Sequence, residues 1–157
     1  MEYWKFIREK VGSARVIIPG VDVAIVRSKE LLLIKSVDSG KWFLPGGLQE
    51  LGESVFDTGE REVREELGIN VKASKLVSVY SGSDWIRKYS NGDELQSLTF
   101  LISTHVIDDS DVPISIDRSE VLDYGWFSFQ NLPENMHDYS FMMTKDLQEY
   151  NGQTIMR

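Results

Sequence analysis

The chain has 157 residues, enough for one domain with a substantial hydrophobic core, and its 41% hydrophobic and 27% charged content is that of an ordinary soluble globular protein. Cysteine is absent, which excludes disulfides and thiol chemistry and leaves a metal site only His, Asp, Glu and backbone oxygens. The formal net charge of −8 opposes binding of polymeric nucleic acid, and it would also repel a phosphorylated small molecule unless divalent cations stood between them.

Met1 to Lys10 mixes charges with aromatics and lacks the apolar run of a signal peptide. No apolar stretch approaches membrane-spanning length, so a cytoplasmic location without membrane attachment is expected. Tyr3 to Glu9 reads as a short helix or an extended arm. The aromatics Tyr3, Trp4 and Phe6 offer a homodimer interface, with core packing explaining them equally well. Val21 to Val26 and Leu31 to Ile34 are rich in branched aliphatics and read as two strands around Ser28-Lys29. Ser39-Gly40 marks a turn, and Pro45-Gly46-Gly47 a loop. Ser54 to Leu67 is the best helix: Ser54 and Asp57 form a capping box, Gly68 is the stop, and Phe56, Val63 and Leu67 should face the core. Ile69 to Tyr80 and Leu95 to Val106 read as long strands, with Asn91-Gly92 between them as a type I′ turn signal. Asp108 to Asp117 is an acidic loop without EF-hand spacing, Tyr124 to Phe129 a last strand, and Phe141 to Tyr150 a C-terminal helix. This order predicts one domain over residues 1–157, an α+β fold with a mixed sheet and helices on its faces.

The chemistry concentrates in Gly46 to Ile69. Glu62, Glu65 and Glu66 sit at i, i+3 and i+4, an arc of about 100° on a helix, where like charges repel by ~0.2–0.5 kcal/mol per pair. A bound Mg²⁺ would reverse that sign, since it prefers hard oxygen ligands. A solvated acidic face, with Arg61 pairing to Glu65, is the plain alternative.

The spacing around these glutamates decides between the two. From Gly47 there are five residues, then Glu53, seven more, then Arg61-Glu62-Val63, one residue, Glu65-Glu66, one residue, Gly68 and Ile69. This segment, 47–69, resembles the Nudix box at every defining position, and Leu44-Pro45-Gly46 resembles what usually introduces it. The resemblance implies an α/β/α sandwich and a hydrolase that uses Mg²⁺, with Mn²⁺ as substitute, to cut a diphosphate linkage in a nucleotide-type substrate. It implies Glu65 and Glu66 as metal ligands, the Gly46 carbonyl as another, and Glu62 as ligand or base. Glu53 and Arg61 would position helix and loop through an ion pair, with contact of Glu53 to a metal through water as the alternative. Family members often recruit a further carboxylate shortly before a Trp-containing strand. Glu120, six residues before Trp126, matches that placement; Asp93, Glu94 and Asp117 are the fallbacks. Gly59 departs from the alanine common there and should cost the helix about 1 kcal/mol, with close packing as its reason.

Substrate recognition is less legible. Lys35 and Arg27 are candidate phosphate holders, and Trp85, Tyr89, Tyr80 and Trp42 candidate stacking surfaces, although core packing suits Trp42 and Trp126 better. His105 and His137 are isolated and read as structural or exposed. ADP-ribose-like compounds, nucleoside triphosphates and dinucleoside polyphosphates all remain open as substrates. The competing class is a Nudix-fold module that binds a nucleotide ligand without cutting it. Such modules usually lose box carboxylates, and this chain keeps every one.

Overall fold

The computed structural model describes residues 2–89, 91–107 and 113–157. Strands β1 (Val16–Arg27) and β2 (Glu30–Ser36) form an antiparallel hairpin whose two turn residues, Ser28 and Lys29, both have positive φ, 52° and 69°. That is the left-handed geometry that matches strand twist in a two-residue hairpin. The short β3 (Trp42–Phe43) pairs with β2, and β4 (Gly46–Leu48) pairs with β1. Strands β5 (Val71–Tyr80) and β7 (Glu94–Val106) are antiparallel, whereas β1 and β7 run parallel over ten residue pairs from Val16↔Leu95 to Ile25↔Thr104. A short strand, β6 (Ile86–Lys88), pairs with β7; β8 (Val121–Ser128) pairs with β2; and β9 (Ile155–Met156) pairs with β5.

Period-two alternation sends successive strand residues to opposite faces. Val21, Val23 and Ile25 of β1, with Leu32 and Ile34 of β2, pack against Val63 and Leu67 of helix α2 (Val55–Leu67). Ala24, Leu31 and Leu33 face the other way, onto Met143 of helix α3 (Asp138–Glu149). The mixed sheet is thus covered on both sides, as expected from its nearly continuous apolar runs. Beneath α3 the hydroxyl of fully buried Tyr80 donates to Asp146 Oδ2 at 2.8 Å, and Arg157 donates to Oδ1 at 2.5 Å. No helix among the described residues is long and apolar enough to cross a membrane.

Helix α1 (Tyr3–Val11) settles the choice between helix and arm at the N-terminus. Its first amide, Tyr3 N–H, donates to both Glu50 carboxylate oxygens (3.1 and 2.9 Å), while Phe6 is 41% exposed. Three expectations need correcting. Phe56 is 37% exposed, because Val55 and Thr58 carry the buried arc of α2 through its first turn. The Asn91-Gly92 turn joins β6, not β5, to β7, and only Gly92 has positive φ, so the type I′ form is absent there. The strand β8 begins at Val121, earlier than Tyr124. The acidic run 108–111 lies outside the described residues.

Candidate active site at the acidic helix

Two local devices hold α2 in place. The Ser54 side chain accepts from Asp57 N–H while Asp57 accepts from Ser54 N–H, closing the capping box. At the other end Gly68 caps the helix with φ 66°, donating its N–H to Arg64 O at 3.0 Å. The loop before the helix is bound to it by Arg61. Its Nε donates to Glu53 Oε1 at 2.6 Å, its Nη2 to Glu53 Oε2 and Leu48 O, and its Nη1 to Glu62 Oε1 and Glu65 Oε2, both at 2.9 Å. This guanidinium depresses the Glu53 carboxyl below the usual range, helped by Glu50 N–H and the Thr58 hydroxyl.

Glu66 and Glu62 behave oppositely. Glu66 is only 6% exposed and accepts from Gly46 N–H at 2.9 Å. Burial raises its carboxyl well above the usual range, against the Gly46 hydrogen bond, and the charges of Glu62, Glu120 and Asp22 add to the rise. Burial also raises Glu62, against Arg61 and with Glu65 and Glu120. Glu65 is the most open, with 59% of its side chain exposed. Gly46 carries φ 152° where β4 crosses β1: a side chain there would run into the Val21 carbonyl and stand 2.9 Å from Asp22 Cα. At Gly47 the Glu62 carboxylate already occupies the place of a Cβ.

Two clefts meet here, sharing Gly46, Gly47, Leu48 and Glu120. The first, about 500 Å³, runs over the sheet face past Asp22, Glu66, Ser97, Thr99 and Arg87 to Tyr89. The second, about 480 Å³, lies between α1 and α2 and is lined by Trp4, Glu50, Arg61, Glu62 and Glu65.

Other candidates stand elsewhere. Lys35 lies 5.9 Å over the Trp42 ring and Arg27 4.1 Å over Trp126, and neither lines a cleft. Trp85, 3% exposed, is sandwiched between Tyr80 and Tyr139 at 4.6 and 4.5 Å, so it cannot stack a ligand; Tyr80 is likewise fully buried. Asp93 faces Arg8, Glu94 pairs with Arg15 and Lys88, and Asp117 accepts from Ser119, all outside the clefts. His105 is exposed. His137, however, lines the first cleft, where burial and the nearby Arg87 and Lys41 keep its imidazole neutral more readily than usual.

Sequence reasoning missed two residues of the first cleft. Burial pushes the Asp22 carboxyl up to about 7, against the attraction of Arg87. A lone acid within the aliphatic run of β1 was its signal. Arg87 lies between Trp85 and Tyr89, both singled out, in an alternating run.

Among the described residues no three His, Asp or Glu side chains converge closely enough to hold a metal ion as they stand. Glu62 and Glu65 turn to Arg61, and Glu66 to the Gly46 amide. The donor chemistry nevertheless fits a hard divalent cation. The donors are all oxygen, Glu62 and Glu66 are desolvated, and neighbouring acids raise the proton affinity of both further, so a cation would relieve both at once.

The NUDIX domain family model matches residues 17–147, and the chain belongs to the Nudix family. It is 34% identical over 119 residues to the NAD-capped RNA hydrolase NudC of Erwinia tasmaniensis, covering 74% of this chain and 41% of that protein. It is 40% identical over 67 residues to the ADP-ribose pyrophosphatase of Methanocaldococcus jannaschii, covering 41% of this chain and 40% of the relative. The chain therefore spans about two fifths of the length of these curated relatives. Among solved structures, an ADP-ribose pyrophosphatase from Streptococcus suis superposes with TM-score 0.68 at 21% identity, covering 89% of this chain and 98% of that one, which shows the fold. A MutT NUDIX hydrolase from Burkholderia pseudomallei gives 0.66 at 26% identity, covering 84% and 98%.

Proposed function

We propose that the chain hydrolyses a phosphoanhydride bond in a diphosphate-linked nucleoside compound, with Mg²⁺ or Mn²⁺ held by Glu62, Glu65, Glu66 and the Gly46 carbonyl. The observation that carries this reading is the meeting of two clefts at Gly46–Gly47, where burial and mutual repulsion strain the Glu62 and Glu66 carboxylates toward a cation. When bound, the ion supplies polarisation of the phosphoryl oxygens and a more acidic water.

The chain's own residues do the rest. Glu62 or Glu120 accepts the proton of the attacking water at a carboxylate oxygen. Glu53, held ionised by Arg61, keeps the loop that carries Gly46 and Gly47 in register with the helix that carries the glutamates. Tyr89, 48% exposed, offers a ring to the nucleoside side of the first cleft. The relatives named for ADP-ribose and for NAD-capped RNA suggest substrates with a group on each phosphate, and the paired clefts have room for such two-sided compounds.

Chromatographic assays that resolve the two phosphorylated products, run with Mg²⁺ or Mn²⁺ on ADP-ribose, nucleoside triphosphates and dinucleoside polyphosphates, test this. Turnover of at least one compound, lost by a hundredfold or more in Glu66→Gln and Glu65→Gln, is expected. Inactivity across the panel, or wild-type turnover in both variants, would refute it; the former outcome would favour a binding module.

A further inference from the structure

Arg87 is a cation for which the reading above finds no task. Its Cζ lies 4.8 Å over the Tyr139 ring, and Tyr139 is itself fixed by stacking on Trp85 and by its hydroxyl donating to Asp84 O at 3.1 Å. The Arg87 Nε is buried without a hydrogen-bond partner among the described residues. A guanidinium N–H shut away from water without an acceptor is costly, and a ligand supplying that acceptor removes the cost. Arg61, by contrast, is fully engaged by Glu53, Glu62, Glu65 and Leu48 O. Among the described residues lining the first cleft, Arg87 is the sole Lys or Arg.

Its position restricts what it meets. Arg87 pairs across β6 with Leu95, which pairs with Val16 on β1. Asp22, opposite Gly46, is six residues further along β1, about 20 Å at ~3.3 Å per residue. The backbone of Arg87 therefore lies at the end of the cleft remote from Gly46, the same end as the exposed ring of Tyr89, and its side chain reaches along the cleft far enough to act on Asp22 and His137. A diphosphate at Gly46 with a ribose beyond it brings a base, not a phosphate, to this end. The acids Asp22, Asp38, Glu66 and Glu120 on the same cleft also disfavour a further anion. A neutral group with two adjacent acceptors suits the planar donor pair. Guanine and hypoxanthine present O6 and N7, both acceptors, whereas adenine sets an amino donor beside N7.

We propose that Arg87 is a specificity-determining residue that makes the first cleft select a 6-oxopurine base over adenine, by paired hydrogen bonds from Nε and a terminal nitrogen to O6 and N7. This rests on the reading of that cleft as the nucleoside side of the diphosphate site.

The test compares matched pairs, GTP and ITP against ATP and GDP-ribose against ADP-ribose, by kcat/KM. It also compares equilibrium binding of GDP and ADP by calorimetry, which needs no turnover. A good bidentate contact predicts a preference of about 5- to 150-fold for both oxopurines over adenine. In Arg87→Gln the preference should shrink to about twofold, through weaker use of the oxopurines. Arg87→Lys, which keeps the charge but not the planar donor pair, should not restore it. Equal treatment of GDP and ADP by the wild type, or a preference that survives Arg87→Gln, overturns the proposal. Full rescue by lysine also overturns it, since that identifies a charge contact to phosphate. A binding preference without turnover would leave this inference standing and refute hydrolysis instead.

Discussion

Helix propensity and packing make opposite predictions for Gly59→Ala, and the structure decides between them. On an isolated helix the change stabilises by about 1 kcal/mol. Here Gly59 is buried where α2 lies against the sheet. A Cβ at this position would collide with Ile102 Cδ1 and stand 3.0 Å from Val23 Cγ2 and 3.3 Å from Val21 Cγ1. These three residues are 0, 0 and 1% exposed, so none can swing aside into solvent. Overpacking of this kind costs about 1–3 kcal/mol, leaving a net loss of about 1 kcal/mol after the propensity gain. For a chain of this length that corresponds to a Tm lower by about 2–4 °C in a calorimetric scan. Ile102→Val removes the colliding carbon. Alone it should cost about 0.5–1.5 kcal/mol, but in the Gly59→Ala background it should be neutral or stabilising. A Tm that rises in Gly59→Ala, or strictly additive effects in the double variant, would show that the helix lifts off the sheet freely and that this packing argument is wrong.

Three further outcomes follow from the same contacts. Gly47→Ala places a methyl where the Glu62 carboxylate lies, so turnover should fall by tenfold or more while Tm changes by no more than about 4 °C; unchanged turnover would remove Glu62 from the site. Asp146→Ala leaves the buried Tyr80 hydroxyl and Arg157 without their acceptor and should cost about 2–4 kcal/mol by urea denaturation, whereas a loss below about 1 kcal/mol would contradict the network. In the presence of chelator, Glu62, Glu66 and Asp22 bind protons more tightly folded than unfolded, so their contribution to stability is complete below the ordinary carboxylate range and is lost as pH rises through their raised values, about 7 for Asp22. Thermal scans from pH 5 to 8 should show the metal-free protein losing stability with pH and excess Mg²⁺ reducing that loss; a Tm that rises over this window without metal would refute the assignment.

The box was legible because its information is local. Spacing along one helix puts Glu62, Glu65 and Glu66 on one arc, and the capping box and Gly68 fix where that helix starts and stops. The walls of the first cleft were not, because they depend on which strand faces meet. The parallel pairing of β1 with β7 sets Ser97 and Thr99 beside Ile18, Gly20 and Asp22, and nothing near either segment announces the other. Alternation along 85–89 could have shown that Trp85, Arg87 and Tyr89 point the same way, but not that α3 would cover Trp85 and leave Tyr89 open. Turn chemistry misled for a related reason. The asparagine–glycine pair took another turn form, while Ser28 and Lys29 adopted left-handed geometry because they alone connect the paired residues Arg27 and Glu30 in a two-residue hairpin.

The four acids of the box, alike in sequence, are separated by their surroundings into three kinds. Glu53 receives the shortest contact of Arg61 and three further donors, so it stays ionised and anchors the guanidinium to the loop. Glu62 and Glu66 are desolvated and repel each other, so their protons are held more tightly. Glu65 stays in water, tied only to Arg61. Arg61 thus does for Glu62 and Glu65 what a divalent ion would do more strongly, and it can release both without losing its place, because Glu53 and Leu48 O still hold it. On the metal-dependent reading proposed above, a helix that is stable without an ion and free to turn its carboxylates toward one calls for an internal cation with a separate anchor. The Glu53–Arg61 pair provides both.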